Sequence, residues 1–239
     1  MSEHGQRSPF KDMHYFNAAV AYNDQSIREF ESVLSSPSTS TRHRTRLRHS
    51  LFKRSFEQLI TRFSRGDDFS LLKDSISATI DALEAYRLIE SGAAYDFRYL
   101  DQYVISLWLI SLSILLEVPN DRFVHLLGLI ENEGRDIIFE RLVGLCISGR
   151  PKPIALLHPK PYGILESALN STGDERSRLL RSFLDDYYNR MKDSYWYGTH
   201  LRNDSSFFGY WCFEVAAFVK CLNIDDRDFA QSNYYPRWV

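Results

Sequence analysis

Apolar residues recur along the chain at three- and four-residue intervals, and strand-type alternation never extends beyond a few residues. The spacing predicts a first helix from Lys11 to about Ser35, ended by Pro37. A second starts near Arg42, with Leu47, Leu51, Phe56, Leu59, Ile60 and Phe63 on one face and Gly66 just past its last turn. Asp67 or Asp68 can cap a third, which carries Phe69, Leu72, Ile76, Ile80 and Leu83 and ends by Gly92. The most apolar helix follows, from about Phe97 to Glu117, and Pro119 stops it. Asn120 and Asp121 open another, and one more runs through Ile137, Ile138, Leu142 and Leu145. Pro151, Pro153, Pro159 and Pro161 then exclude a continuous helix and predict an ordered connector. A short helix near Tyr162, a longer one from Gly173 to Asp193 and a last one from Gly209 to Leu222 complete the series. The pattern predicts an all-α helical bundle of roughly eight to ten helices. Its weakest point, at Glu117–Asp121, divides the chain into an N-terminal domain, 10–120, and a C-terminal domain, 121–239.

Composition supports a globular reading. Of 239 residues, 44% are hydrophobic and 25% charged, enough apolar side chain to exclude disorder as the main state. The longest uncharged apolar run, Gln102 to Leu116, would rise only about 22 Å as a helix, short of a bilayer core of ~30 Å. It is further interrupted by Ser106, Ser111 and Ser113. The polar start of the chain has no hydrophobic signal segment. Three cysteines, Cys146, Cys212 and Cys221, form no CxxC pair and read as buried, reduced thiols. A cytoplasmic protein without a membrane segment is expected.

The net charge of −2 hides an asymmetry. Residues 1–65 hold 11 basic and 6 acidic groups, residues 66–140 hold 5 and 14, and residues 141–239 hold 13 and 11. An acidic middle is thus flanked by basic segments, a property that concerns partners more than fold. The basic run Arg42–Arg54 could contact nucleic acid, but the overall charge supplies no supporting field, so it reads better as the outer face of a core helix.

Signatures of catalysis are missing from the sequence. There is no Gly-rich phosphate loop, no HExxH and no GxSxG, and the seven histidines are scattered. Adjacent carboxylates at Asp67-Asp68, Asp185-Asp186 and Asp225-Asp226 point about 100° apart on a helix, which suits caps better than acid–base work. No cofactor, metal or enzymatic activity is expected. The frequent aromatics read as core filling.

The C-terminal blocks Tyr195-Trp-Tyr-Gly-Thr-His200, Phe208-Gly-Tyr-Trp-Cys-Phe-Glu214, Leu222-Asn-Ile-Asp-Asp226 and Tyr234-Tyr-Pro236 together resemble the PoNi family. Phe63-Ser-Arg-Gly66 and Leu157-His-Pro-Lys-Pro-Tyr162 are similar to it as well, while Cys212 and Val215 depart from its usual pattern. The resemblance implies two associated helical domains, no enzymatic activity, and binding of a cognate bacterial DNase toxin of the PoNe type. Gly209, Tyr210, Trp211, Glu214, His200, Asp225 and Asp226 stand as structural motif residues. Within its apolar surround Glu214 must be paired or protonated, with His200 or Arg202 as possible partners.

A DNase must offer a positive surface to DNA, so an inhibitor with an acidic face can meet it. The expected toxin-binding groups are Asp67 and Asp68, and above all Glu90, Tyr95, Asp96, Tyr99 and Asp101, where aromatic anchors alternate with charge. No direct nucleic-acid contact is expected, and the oligomeric state stays open. The alternative function is a helical regulator that binds nucleic acid through Arg42–Arg54.

Overall fold

Asp12 accepts the amide of Tyr15 (2.8 Å) and so starts α1, Met13–Ser35. The computed structural model describes residues 5–38, 40–89 and 95–237. Ser40 caps α2 (Thr41–Arg65), and Gly66 closes it at φ 105°, a left-handed conformation that suits glycine. The remaining helices are α3 (Phe69–Arg87), α4 (Leu100–Leu115), α5 (Asn120–Ile130), α6 (Ile137–Gly144), α7 (Pro159–Asn170), α8 (Gly173–Asp185), α9 (Tyr187–Arg190) and α10 (Phe213–Leu222). A 3₁₀ turn covers Thr199–Leu201. The described residues contain no strand, and the fold is all-α.

The chain forms two compact units, each made of three segments. The first comprises Met1–Ala94, Leu116–Leu129 and Gly198–Gly209. In it α1 packs on α2 and α2 on α3, and the start of α5 lies along α3 through Arg122–Asp81 (2.6 Å) and His125–Glu84 (3.3 Å). The segment 198–209 completes this unit. The Tyr15 hydroxyl donates to the Phe207 carbonyl (2.9 Å) and accepts its amide (3.0 Å), and Ser64 Oγ donates to the Phe208 carbonyl (2.6 Å).

The second unit comprises Tyr95–Leu115, Ile130–Tyr197 and Tyr210–Val239. Its centre is α4, packed on α6 and α10 and buried over most of its length. Ser106 and Ser111 are accommodated because each hydroxyl donates to a carbonyl one turn back, at Gln102 and Leu107. Trp108 stacks on Trp196 (centroids 5.9 Å apart) and meets Phe213 edge-on (5.5 Å).

Two elements differ from the sequence expectation. The last helix begins at Phe213, because Tyr210–Cys212 lies outside the helix and the Cys212 amide bonds to the Tyr234 carbonyl (2.8 Å). The helix expected over 173–193 breaks at Asp186, which lets Tyr187 and Tyr188 face the core. Tyr187 donates to the Trp211 carbonyl (3.0 Å), and Tyr188 stacks on Tyr197 (4.3 Å).

Candidate functional site

The acidic middle of the chain spends several carboxylates inside the fold. Arg65 clamps Asp67 through two hydrogen bonds (2.6 and 2.7 Å), while Asp68 occupies the N-cap position of α3. Arg7 lies over the rings of Phe63 and Phe69 and donates to the carbonyls of Phe63 and Asp67, fixing the same turn. In the second unit the buried Asp136 accepts from the Tyr103 hydroxyl (2.8 Å) and from the amides of Ile138, Phe139 and Leu157 (2.9, 3.1 and 2.9 Å). Arg150 holds Glu140 in a bidentate pair, both bonds 2.8 Å.

The aromatic–acidic segment around residue 99 divides in the same manner. Tyr95 is buried, and its carbonyl accepts from Asn132 (2.6 Å). Asp101 accepts the amide of Tyr195 (2.8 Å). Asp96 accepts both the backbone amide and the guanidinium of Arg98, a pairing that lowers its pKa. Tyr99 remains 61% exposed, beside a charge pair of no net sign. Glu90 lies outside the described residues.

Carboxylates gather more openly in the first unit. A groove of about 500 Å³ runs between α1, α2 and α3. Its floor includes Leu51, Ala78, Ala82 and Ala85, and its walls carry Asp24, Glu31, Asp74 and Asp81 against Arg48 and Arg62. Asp24 is held by Gln58 (2.7 Å) and Arg62 (3.1 Å), and Asp81 by Arg122. Glu31 and Asp74 are exposed and make no ion pair among the described residues. The signal for this face was in the sequence: Asp74, Ala78, Asp81, Ala82 and Ala85 recur at helical spacing, alternating charge with small side chains.

The basic run takes up local work. Arg44 donates to the carbonyls of Leu34 (2.7 Å) and Ser36 (2.6 Å), closing the end of α1. Arg54 bonds Asn23 (2.9 Å) and pairs with Glu57 (3.5 Å), which Lys53 also approaches (3.8 Å). Arg42 and Arg46 are exposed.

The most perturbed acid is Glu214, fully buried at the first turn of α10. Burial pushes its carboxyl up to about 7, against the weaker downward pull of its own amide, the Cys212 thiol, the Tyr162 hydroxyl and the Trp108 indole. None of these contacts has ideal hydrogen-bond geometry at the carboxylate oxygens. His200 instead packs its ring against Phe10 (5.7 Å) and Phe207 (6.4 Å), and burial lowers its pKa. Such a carboxyl, enclosed by aromatic rings, holds a proton near neutrality but has no access to a substrate. Among the described residues, no three His, Cys, Asp or Glu side chains gather as a metal site, and no helix is long and apolar enough to cross a membrane.

Two family models settle the lineage. The PoNe immunity protein (PoNi), N-terminal, matches residues 7–128, and the PoNe immunity proteins (PoNi), C-terminal, match residues 134–238. The chain belongs to the PoNi family. A PoNi protein is an immunity protein, so this chain's expected work is to bind a partner toxin. The crystal structure of protein PA2201 from Pseudomonas aeruginosa has a similar fold, with a TM-score of 0.77 at 16% identity, over 98% of this chain and 89% of that one. No curated protein matches the sequence.

In this PoNi chain the motif residues do architectural work. Tyr210 lies 5.1 Å from Trp196 and 5.0 Å from Tyr188, and Trp211 receives the Tyr187 hydroxyl. Gly209 adopts φ 131°. Asp225 pairs with Arg227, and Asp226 accepts the Tyr235 hydroxyl (3.0 Å), tying the C-terminal PoNi segment to its last turn. The cysteines differ from expectation: only Cys212 is buried, while Cys146 is exposed just past the end of α6 and Cys221 is intermediate.

Proposed function

We propose that the protein neutralises a DNase toxin in the cytoplasm of the cell that makes it, by covering the toxin's DNA-binding or active-site surface. The toxin would be one used in competition between bacteria and delivered by a secretion system, such as type VI. The observation that carries the reading is the α1–α3 groove, where Glu31 and Asp74 keep carboxylates uncommitted to the fold of an immunity-family chain. A nuclease surface rich in Lys and Arg would find there a substitute for phosphate charge, with steered association. Tyr99, exposed beside Asp96, is the second contact this reading keeps from the 90–101 segment.

Toxin affinity and cell survival under toxin co-expression test it. The double variant Glu31→Lys/Asp74→Lys should bind at least about tenfold more weakly, chiefly through slower association at low salt. Unchanged affinity with an intact fold removes the groove from the interface. Tyr99→Ala and Asp96→Lys examine the second contact in the same assay. A duplex-DNA gel shift, abolished by Arg42→Glu/Arg46→Glu, would instead favour nucleic-acid binding through the basic run.

A further inference from the structure

We propose that the cavity between α6 and the proline-rich connector docks an acidic peptide segment of a partner protein, one carboxylate flanked by bulky apolar side chains. The inference stands apart from the toxin reading, since it concerns the second unit and none of its residues lines the α1–α3 groove. The connector is set firmly against α6. The Ile137 amide donates to the Ala155 carbonyl (2.9 Å), and the Leu157 amide donates to Asp136 (2.9 Å). Glu140 ties the two together, accepting the Gly134 amide (2.7 Å) and both bonds of Arg150 (2.8 Å each). Between α6 and residues 147–153 this leaves a cavity of about 500 Å³, a size ordinary for ligand pockets.

Charge decides what fits. Arg150 is committed to Glu140 and also meets Glu133 (3.3 Å). Arg141 donates only to the neutral side chain of Asn170, and Lys152 is exposed; neither makes an ion pair among the described residues. Both line the cavity, whose apolar walls are Ile137, Ile147, Pro151 and Pro153. Two uncommitted cations over an apolar floor complement a single carboxylate with an apolar neighbour. The carboxylates of Glu140 and Glu133, beside the same Arg150, disfavour a chain of phosphates. Just past the cavity, Ile154 follows Pro153 and is 98% exposed. A small carboxylic acid filling the cavity leaves Ile154 in water, whereas a peptide runs on over Pro153 and covers it. Pro151 and Pro153 stiffen the backbone on either side of Lys152, so less freedom is lost when a partner docks.

The test is an array of short synthetic peptides in which one Glu or Asp is flanked by Leu, Ile or Val, probed with full-length protein. A matched series carries Gln or Asn in place of the acid. Acidic peptides should bind at least about tenfold more tightly than their amide counterparts, and added salt should narrow the gap. Arg141→Gln/Lys152→Gln should erase the preference for the acid. Ile154→Ala, at an exposed position that leaves the fold intact, should weaken binding of every acidic peptide. Failure of all acidic peptides to bind, equal binding of the amide series, or binding indifferent to these variants would overturn the proposal. So would isovalerate displacing the best peptide at equal concentration, which would give the cavity to a small acid. Self-association of the protein abolished by Ile154→Ala would give it to a second copy instead, and would equally overturn the proposal.

Discussion

Asp136 and Glu214 are both fully buried acids of the same unit, and they meet the cost of burial in opposite ways. Asp136 receives four hydrogen-bond donors. Glu214 lies among aromatic rings and a thiol, and its pKa rises to about 7. A folded-state pKa above that of the unfolded chain favours the protonated acid. The stability it contributes is fully present below about pH 4.5 and is lost as pH rises toward 7, by on the order of 3 kcal/mol. Glu214→Gln removes that titration. The unfolding free energy of the variant minus that of the wild type should therefore climb by about 3 kcal/mol between pH 4 and pH 8, as measured by urea denaturation. A difference independent of pH would mean that Glu214 does not titrate in this way.

At the scale of the element, Asp136 shows how one cap can anchor more than its own helix. It starts α6 through the amides of Ile138 and Phe139, and it reaches α4 through Tyr103 and the proline-rich connector through Leu157. Asp136→Ala would strand three buried donors and one part-buried one, so a loss of about 4 kcal/mol is expected in chemical denaturation. A loss under about 1 kcal/mol would show that the network repairs itself. Pro37, Gly66 and Pro119 announced where helices stop, and the apolar run before Glu117 announced the central helix α4. The sequence could not announce the start of α10, since a tertiary hydrogen bond from Cys212 to Tyr234 holds the preceding residues out of the helix. Nor could local spacing show that Asp101 and Asp136 turn inward, because their partners Tyr195 and Tyr103 are chosen by the fold.

For the molecule as a whole, the two family segments and the two compact units divide the chain differently. The N-terminal family segment, 7–128, contains α4, which belongs to the second unit, and lacks residues 198–209, which complete the first. A fragment ending at residue 129 would expose α4 without α6 and α10 and would leave Tyr15 and Ser64 without Phe207 and Phe208. It should bind a hydrophobic dye, aggregate and unfold without cooperativity, whereas the full chain should unfold cooperatively. A soluble, cooperative fragment would show that the segments fold independently. The threading also sets a schedule during synthesis. The first unit has most of its residues once Ala94 is made, yet its last segment leaves the ribosome only after Gly209, more than a hundred residues later. At ~5–20 residues per second, that is a wait of roughly 6–23 s. On the proposed function, half-made copies would bind no toxin, so protection would rest on protein already complete when the toxin arrives.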